Sequence, residues 1–336
     1  HQYMITEKSD AIPKGLPTLR DPDNIFYLKP EPGALAVGGW EQGTPTFGAS
    51  GVPASFGREL LQANQDRLEA FLVPAAERLP ILNELGIRTV INGPIPISPD
   101  GEPIMGLAPE RDNFFVACGF TSGIAASGGA GKAMAEWIVE GEPGLDLWAF
   151  DVRRFGSHHM SARYLAERSV DSYWRYYQIH YPIEELSSAR GGRRSPLYPL
   201  LAARNAVFGS RFGWERPNWF APPGTEAFDT PSFEGRPNWF GSVATECKAA
   251  RERAVLIDQS SFSKYEISGP GAFTALQRLA ANDLDRPAGA LIYTQLCNER
   301  GGIEADLTFV RLDENRFYMV TGSAFGVRDT AWITRH

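Results

Sequence analysis

The sequence predicts a multidomain protein that combines α/β and α+β folds, and three observations lead to this prediction. The 336 residues are enough for about two domains of ordinary size. A short apolar run at residues 114–117, predicted to be a buried strand, precedes a glycine-rich stretch and a helical pattern, which is the strand–turn–helix order of an α/β fold. Residues 25–28 and 34–40 are predicted to be strands that pair across the turn at residues 30–33, and this hairpin adds antiparallel structure.

The chain begins with a strand pattern and a helix follows it. Residues 1–7 are strand-like, and residues 59–79 show helical spacing with Leu68 and Phe71 on the apolar face. Pro74 is expected to break or kink this helix, because proline lacks the amide proton that a helix interior needs. We expect the helix to cover the sheet.

The middle of the chain is predicted to contain a strand, a stiff proline-rich segment, a long helix and a linker. Residues 88–91 are a predicted strand, and four prolines stiffen the segment at residues 92–106 that follows it. A long aromatic helix is predicted over residues 161–181, and its aromatic stripe is expected to pack between domains. The basic segment at residues 187–195 is predicted to be a flexible, solvated linker.

Composition is that of an ordinary globular protein, with 43% hydrophobic and 22% charged residues. A net charge of −7 argues against general affinity for nucleic acid, and no apolar run approaches the roughly 20 residues that cross a bilayer.

His158 and His159 have no carboxylate or cysteine at ligand spacing, so no metal site is expected. The cysteines are odd in number and widely spaced, which fits a reducing compartment rather than a disulfide framework: Cys118, Cys247 and Cys297.

The glycine-rich stretch at residues 118–132 leads into a predicted helix at residues 133–140. Backbone N–H groups at such a turn lie at the positive end of the helix dipole, where negative charge is favoured. A phosphate-binding P-loop would need glycine at Ala126 and serine or threonine at Ala133, and a dinucleotide fingerprint would need glycine at Met134. Taken alone, the stretch is equally compatible with tight packing of a helix on a strand.

Ordered motifs around this stretch resemble a known family. Residues 92–106 contain Ser-Pro-Asp-Gly-x-Pro-Ile-x-Gly, and Phe-Phe-Val-Ala-x-Gly, Ser-x-Gly and Gly-Gly-x-Gly-Lys follow. This set resembles the carboxyl-terminal half of the flavin domain in the D-amino-acid-oxidase-like family, specifically its dimethylglycine and sarcosine dehydrogenase branch. In that family the loop and helix lie against the flavin ring, and the helix dipole faces the N1/O2 edge that becomes negative on reduction. The resemblance therefore implies FAD as a cofactor.

The same resemblance assigns residues to the site. His-Gln-Tyr, Leu-Pro-Thr-Leu-Arg and Phe-Tyr-Leu match the substrate-binding sheet of these enzymes and make His1 and Tyr27 the pair that borders substrate and flavin. An imidazole and a phenol there would tune the protonation of an amine and hold it in line. Without the resemblance, His1 is more simply a surface residue and Tyr27 a packing residue. The residues expected to contact the flavin are Ile91, Phe120, Thr121, Ser122 and Gly123.

From about residue 240 the sequence resembles the glycine-cleavage T-protein, an aminomethyltransferase fold that binds folate. Matching pieces include Ser-Gly-Pro-Gly-Ala at residues 268–272 and Asn-Glu-Arg-Gly-Gly-Ile-Glu-Ala-Asp-Leu at residues 298–307. The match gives Asp306 the position of the catalytic carboxylate and Tyr293 that of a tyrosine in contact with folate. It implies tetrahydrofolate as a second cofactor. Without it, Asp306 is an acidic residue that enters a strand.

The two resemblances imply a domain order. Residues 1–145 would be the carboxyl-terminal part of a FAD-dependent oxidoreductase domain and residues 146–200 a central, connecting domain. Residues 201–239 would form a junction, and residues 240–336 the first part of a folate-binding domain with an incomplete pocket. The chain is expected to be an internal segment of a longer protein. The GxGxxG motif that grips the ADP half of a flavin is not found in it, so the segment alone is expected to bind flavin poorly and to be inactive.

The function implied is FAD-dependent oxidative demethylation of an N-methylated amino acid, either dimethylglycine or sarcosine. Hydride would pass to the flavin, and tetrahydrofolate would capture the one-carbon unit. The implied partners are a small amine substrate and an electron acceptor, which would be an electron-transfer flavoprotein or O2. The protein would be cytoplasmic in a bacterium and in the mitochondrial matrix in a eukaryote.

Two alternatives remain open at this point. The same architecture occurs in the regulatory subunit of pyruvate dehydrogenase phosphatase, a non-catalytic binding partner, and residues 127–132 and 262–266 are similar to that branch as well. A flavin oxidase that transfers electrons to O2 is the other alternative, because access of O2 to the flavin face cannot be read from sequence.

Overall fold

The computed structural model describes all 336 residues, which form two compact units. The first unit comprises His1–Ile104, Cys118–Gly131 and Met160–Ala189. The second unit comprises Met105–Ala117, Lys132–His159 and Arg190–His336. None of the helices is long and apolar enough to cross a membrane.

A five-stranded antiparallel sheet forms the centre of the first unit. Its strands are β1 (Gln2–Thr6), β2 (Leu19–Asp21), β3 (Phe26–Glu31), β4 (Ala34–Gly39) and β5 (Ile87–Asn92), and they lie in the order β2-β3-β4-β1-β5. The predicted hairpin is confirmed as β3 and β4. The predicted first strand and the strand before the proline-rich segment are confirmed as β1 and β5, which pair with each other.

Helix α1 (Gln65–Arg78) covers this sheet, as predicted, through buried Leu68, Phe71 and Ala75. It starts six residues later than its sequence pattern predicted, because Asn64 caps it by accepting a hydrogen bond from Arg67 N at 3.0 Å. Pro74 lies inside the helix, so the predicted break does not occur, and a kink at Pro74 stays a prediction. Phe71 and Ala75 are fully buried on the sheet, and this packing outweighs the roughly 3 kcal/mol that an interior proline costs.

The glycine-rich stretch is mostly helical rather than a turn, which corrects the sequence-based prediction. Strands β6 (Ile104–Leu107) and β7 (Phe115–Cys118) pair, and β7 is half-buried to exposed rather than buried. Helix α2 (Gly123–Glu140) begins ten residues before the predicted start. Ala133, Met134 and Trp137 are buried at helical spacing, and their packing holds the glycines before them in helical conformation. The free amides of the helix terminus are therefore those near Gly123, not those near Lys132.

Helix α3 (Ala162–Arg175) is shorter than predicted and ends before the last tyrosines of the aromatic stripe. Ser161 caps it by accepting from Tyr164 N. Tyr173, Tyr176 and Tyr177 lie in the first unit and pack there against Trp40. Trp40 belongs to the predicted oxidoreductase domain at residues 1–145, and the tyrosines belong to the predicted central domain at residues 146–200. The stripe therefore packs between these two segments, as predicted.

The second unit contains a four-stranded antiparallel sheet in the order β10-β13-β12-β11. Its elements are α4 (Tyr198–Ala202), β8 (Ala206–Arg211), β9 (Trp214–Phe220), α5 (Phe240–Glu252), β10 (Ser263–Ser268), α6 (Ala272–Leu279), β11 (Leu291–Cys297), β12 (Ile303–Asp313), β13 (Arg316–Thr321) and α7 (Gly326–Arg335). Leu284, Phe309, Phe317 and Met319 are fully buried at the centre of its core. Strands β8 and β9 form a separate hairpin.

The arginines of the predicted linker bind other side chains, although the sequence predicted a solvated segment. Arg190 donates from Nε to Glu215 at 3.0 Å, and that carboxylate is buried. The Arg193 guanidinium stacks on Trp214, with its central carbon 4.2 Å from the ring centroid. A basic stretch with glycines looks flexible in sequence, but its planar guanidinium groups find a carboxylate and an aromatic face here.

Candidate active site

His1 lies between two tyrosine hydroxyls in the first unit. Its Nε2 is 3.1 Å from Tyr27 Oη, and its Nδ1 is 3.0 Å from Tyr173 Oη. His1 directly precedes β1 and Tyr27 lies in β3, so the sheet positions both residues. Tyr173 reaches them from α3. The structure thus brings together the two residues that the sequence singled out and adds a third.

Aromatic rings enclose the imidazole. The ring centroid of Trp40 is 4.7 Å from that of His1, and Tyr173 and Tyr177 pack on the same indole at 4.9 and 5.5 Å. The guanidinium of Arg20 covers Tyr177 at 4.1 Å. His1 and Tyr27 are each partly exposed.

A buried carboxylate lies behind the wall. Glu41 is 1% exposed, and its Oε2 accepts from Tyr173 Oη at 3.3 Å. Arg67 neutralises it by donating from Nε to Oε1 at 2.8 Å. Neither Glu41 nor Tyr173 was predicted from the sequence to be a site residue. For Glu41 the sequence signal is weak, a single acidic residue just after the apolar strand β4.

Both phenols on His1 stay protonated at physiological pH. Burial, followed by the neighbouring Tyr177, raises the pKa of Tyr27 above its usual range. Burial and then the Glu41 carboxylate raise the pKa of Tyr173 as well. The two hydroxyls can therefore act as hydrogen-bond donors beside the imidazole.

The residues predicted to contact the flavin surround the start of α2. Thr121 Oγ1 donates to the carbonyl oxygen of Pro96 at 3.1 Å, and Ser122 Oγ shares a short hydrogen bond with Tyr176 Oη. Gly123 is the first residue of the helix. Ile91 lies on β5, opposite Tyr3 of β1.

A cavity of about 330 Å³ adjoins this helix start. It lies between the loop after residue 99, the segment at residues 120–126 and the end of α3. Phe120 and Pro103 give it apolar walls, and Arg175 and His180 give it polar ones. Arg175 is paired with Asp171 at 2.7 Å, so its charge is already balanced.

The residues predicted to serve folate are neighbours on the sheet of the second unit. Gln295 of β11 lies opposite Asp306 of β12, which places Tyr293 diagonally across from Asp306. Tyr293 is 57% exposed, and interaction with the neighbouring Asp306 carboxylate raises the pKa of its phenol. Phenol and carboxylate thus form one polar pair on the open face of the sheet.

The two adjacent histidines contact each other, although diverging side chains were predicted. The ring centroids of His158 and His159 are 3.7 Å apart in a short 3-10 helix. Burial, followed by the neighbouring ring, lowers the pKa of His158 to about 3. No group of three or more histidine, cysteine or acidic side chains is arranged to hold a metal ion.

Comparison with known proteins gives consecutive matches along the whole chain. Residues 1–137 match the family model described as FAD dependent oxidoreductase. Residues 140–195 match the FAD dependent oxidoreductase central domain, and residues 197–336 match the GCVT N-terminal domain. The predicted combination of α/β and α+β domains is confirmed by these matches.

Curated relatives match over the full chain. A 4-methylaminobutanoate oxidase (formaldehyde-forming) from Paenarthrobacter nicotinovorans is 39% identical over 100% of this chain and 40% of its own length. Sarcosine dehydrogenase, mitochondrial, from Mus musculus is 36% identical over 93% of this chain and 36% of its own length. The pyruvate dehydrogenase phosphatase regulatory subunit, mitochondrial, from Mus musculus is 33% identical over 100% of this chain and 39% of its own length.

The chain therefore spans about two fifths of the length of these relatives. Its three matched domains follow one another in a fixed order and leave almost no residue unmatched. By this domain order, the chain belongs to the family of FAD dependent oxidoreductases in which a central domain and a GCVT-type domain follow the oxidoreductase domain.

Proposed function

We propose that the full-length protein oxidises an N-methyl group of an N-methylated amino acid, such as dimethylglycine or sarcosine, and transfers the one-carbon unit to tetrahydrofolate. The observation that carries this proposal is the His1 imidazole held between Tyr27 of the oxidoreductase domain and Tyr173 of the central domain. The names of two relatives, a 4-methylaminobutanoate oxidase and a sarcosine dehydrogenase, support the substrate class.

An amine can be oxidised at its methyl group only when the nitrogen lone pair is free, so the site must take up the proton of an ammonium. Tyr27 and His1 lie in hydrogen-bond contact, which suits the transfer of a proton from a bound amine through the phenol to the imidazole. The surrounding rings of Trp40 and Tyr177 favour a methylated cation, because aromatic faces attract positive charge.

The start of α2 has the donors and the open space that a flavin ring needs. The amides of a first helical turn have no acceptor within the helix, and here that turn begins at Gly123. Ile124 is 96% exposed, and side-chain atoms added at Gly128 or Gly129 would meet nothing within 4 Å. When bound, FAD would supply the acceptor for the electrons of the C–H bond. Residues 120–123, with Ile91, would hold its ring, and the helix dipole would favour its anionic edge.

The polar pair of Tyr293 and Asp306 is proposed to serve the folate step. A carboxylate beside the nitrogen atoms of the pterin can hold a proton and return it as the one-carbon unit is attached. The neighbouring positions of Tyr293 and Asp306 on the exposed face of the sheet support a joint role.

The electron acceptor is proposed to be an electron-transfer flavoprotein or O2. A relative named as a dehydrogenase and a relative named as an oxidase match the chain almost equally well. We propose the mitochondrial matrix as the location for a eukaryotic source, because the name of the sarcosine dehydrogenase includes the word mitochondrial. For a bacterial source we propose the cytoplasm.

Anaerobic stopped-flow mixing of the full-length protein with sarcosine, dimethylglycine and 4-methylaminobutanoate tests the proposal. We expect the visible absorbance of the oxidised flavin to bleach with at least one of these amines. Glycine, which has no N-methyl group, is the control and should leave the spectrum unchanged. Absence of bleaching with all three methylated amines would refute the substrate class.

A second candidate is a non-catalytic regulatory subunit of the pyruvate dehydrogenase phosphatase type. The observation that favours it is the relative of that name, which matches the whole chain at 33% identity. Co-purification of the full-length protein with a phosphatase catalytic subunit, together with no amine turnover, would select this candidate. Amine turnover without phosphatase binding would select the enzyme.

A further inference from the structure

We propose that Glu41, acting through Tyr173, determines which ring nitrogen of His1 carries the proton. The uptake of a proton from the amine rests on the proposed function, whereas the assignment of the His1 tautomer does not. Glu41 and Tyr173 are positioning residues in this scheme, because each acts on the imidazole rather than on a substrate.

The acceptors around Tyr173 fix the direction of its hydroxyl proton. Tyr173 Oη lies 3.3 Å from Glu41 Oε2 and 3.4 Å from the carbonyl oxygen of Gly39. A carboxylate and a carbonyl have no proton to donate, so the tyrosine must donate toward them. A lone pair of Tyr173 Oη then faces His1 Nδ1 at 3.0 Å and accepts its N–H.

The polarity continues to the other side of the ring. A neutral imidazole carries one N–H, so a proton on Nδ1 leaves Nε2 as an acceptor. Tyr27 therefore donates its hydroxyl proton to His1 Nε2 at 3.1 Å. The resulting chain runs in one direction, from Tyr27 through His1 and Tyr173 to Glu41.

The carboxylate that anchors this chain is itself fixed. Arg67 binds Oε1 of Glu41 from Nε and Nη2, which leaves Oε2 for Tyr173. The Thr44 hydroxyl lies 3.0 Å from the backbone oxygen of Glu41 and 3.3 Å from Glu41 Oε1, so it has acceptors on Glu41 itself. Arg67 is held in turn by the Asn64 cap at the start of α1. A buried charge with such partners has one orientation.

The direction of the chain suits the removal of a proton from an ammonium. With its own proton donated to His1, Tyr27 Oη has lone pairs for an N–H of the substrate. The N–H bond of the ammonium breaks as Tyr27 Oη takes that proton and passes its own to His1 Nε2, and the amine keeps the electron pair. The imidazolium that forms keeps Nδ1–H on Tyr173, within the field of the Glu41 carboxylate.

The opposite tautomer would spoil this geometry. A proton on Nε2 would point at Tyr27 Oη and occupy the lone pair that the amine needs, and the imidazole would have no vacant nitrogen on that side. A carboxylate two hydrogen bonds away thus decides whether the site is able to take up a proton.

Glu41→Gln tests this assignment because it is expected to reverse the chain. Arg67 is a donor only, so it keeps the amide oxygen and turns the amide NH2 toward Tyr173. Tyr173 then accepts from the glutamine and has two remaining partners for its own proton, His1 Nδ1 at 3.0 Å and the Gly39 carbonyl at 3.4 Å. We expect it to donate to the nearer one, His1 Nδ1, which moves the ring proton to Nε2. Histidine-labelled full-length protein, at a pH where the ring is neutral, reports the tautomer through the 13C and 15N shifts of the imidazole. His1→Gln identifies the signal by its loss.

We expect an Nδ1–H signal for His1 in the parent protein and an Nε2–H signal in Glu41→Gln. An Nε2–H signal in the parent, or an unchanged Nδ1–H signal in Glu41→Gln, would overturn the proposal. Tyr173→Phe is a second variant that severs the chain without altering Glu41, and it should populate both tautomers. A single Nδ1–H tautomer in Tyr173→Phe would also overturn it.

Flavin reduction by amine, measured on the same samples, separates this proposal from the proposed function. Loss of an outer hydrogen-bond partner commonly costs about 10- to 100-fold in activity, and we expect Glu41→Gln to slow reduction by that factor. Tautomer reversal in a protein that no methylated amine reduces would refute the substrate class and leave the role of Glu41 standing. Reduction by amine without tautomer reversal would do the opposite.

Discussion

The hydroxyl end of Tyr27 fills the space that a side chain on Gly38 would occupy. The two residues lie opposite each other on β3 and β4, and a methyl group built on Gly38 would overlap the phenol oxygen of Tyr27. Glycine at this position lets the phenol lie across the neighbouring strand and reach the imidazole of His1.

Gly38→Ala is expected to impair the site without unfolding the protein. The added methyl must displace the phenol oxygen from His1, whereas the backbone of Gly38 is not left-handed and the contact is with the far end of a side chain. We expect a change in unfolding free energy below about 1 kcal/mol. Loss of the hydrogen bond between Tyr27 and His1 should slow flavin reduction by amine about 100-fold.

Gly93→Ala is the matched control, since a methyl group there meets nothing within 4 Å and Gly93 also lies next to His1. Stopped-flow reduction and urea unfolding of both variants decide the matter. Reduction by Gly38→Ala at the parent rate would show that the position of the Tyr27 hydroxyl is unimportant.

Sequence reasoning succeeded where a signal is local. The β3–β4 hairpin follows from two short strand patterns and a proline–glycine turn, and all residues involved lie within 16 positions of each other. The His1–Tyr27 pair came from a resemblance, and the structure brings the two side chains into contact. Their role in chemistry stays a prediction.

Prediction from the sequence failed where a contact joins segments that are far apart in the chain. Tyr173 meets Glu41 across 132 positions, and a buried carboxylate after an apolar strand gives no sequence pattern that names its partner. The start of α2 was misplaced for a related reason. Glycine has low intrinsic helix propensity, and only the burial of Met134 and Trp137 further along reveals that the stretch is helical.

Gly106, the last glycine of the motif at residues 98–106, is expected to be intolerant of any side chain. It has φ +106°, and a methyl group there would overlap the buried ring of Trp137. Left-handed backbone strain and overpacking together predict a loss of about 2–4 kcal/mol in unfolding free energy for Gly106→Ala. Urea denaturation measures it.

Gly141→Ala provides the comparison, because Gly141 has a similar φ of +85° but open space around it. It should lose only about 1 kcal/mol, the cost of the backbone conformation alone. Equal losses in the two variants would mean that Trp137 moves aside freely.

Asp306→Asn is expected to uncouple the two proposed steps. The amide keeps the shape of the carboxylate but cannot take up a proton, so transfer of the one-carbon unit to tetrahydrofolate should slow by at least about 100-fold. Flavin reduction by amine should stay within about twofold of the parent, since His1 and Tyr27 are untouched. Formaldehyde released in the presence of tetrahydrofolate is the readout. Glu266→Gln, an exposed change on β10 of the same sheet, is the control. Parent-like capture by Asp306→Asn would remove Asp306 from the folate step.

Asp329 gives the second unit a stability that depends on pH. It is buried at the start of α7, where Oδ2 accepts from Thr321 Oγ1 at 2.5 Å and Oδ1 has no hydrogen-bond partner. Burial raises the pKa of Asp329 from its usual 3.8 to about 6. Because the folded state binds the proton more tightly, its contribution is fully present below pH 3.8 and is lost as the pH rises through 6. The shift corresponds to about 3 kcal/mol.

Asp329→Asn should abolish this dependence, since an amide mimics the protonated carboxyl at every pH. Relative to the parent protein, the unfolding free energy of the variant should therefore rise by about 2 kcal/mol between pH 4 and pH 6.5. Urea titrations across this range measure the difference, and the other carboxylates cancel because both proteins contain them. Asp283→Asn is the control, because Asp283 is exposed and its nearest cation, Arg286, lies 4.0 Å away. A difference between Asp329→Asn and the parent that stays constant with pH would contradict a raised pKa for Asp329.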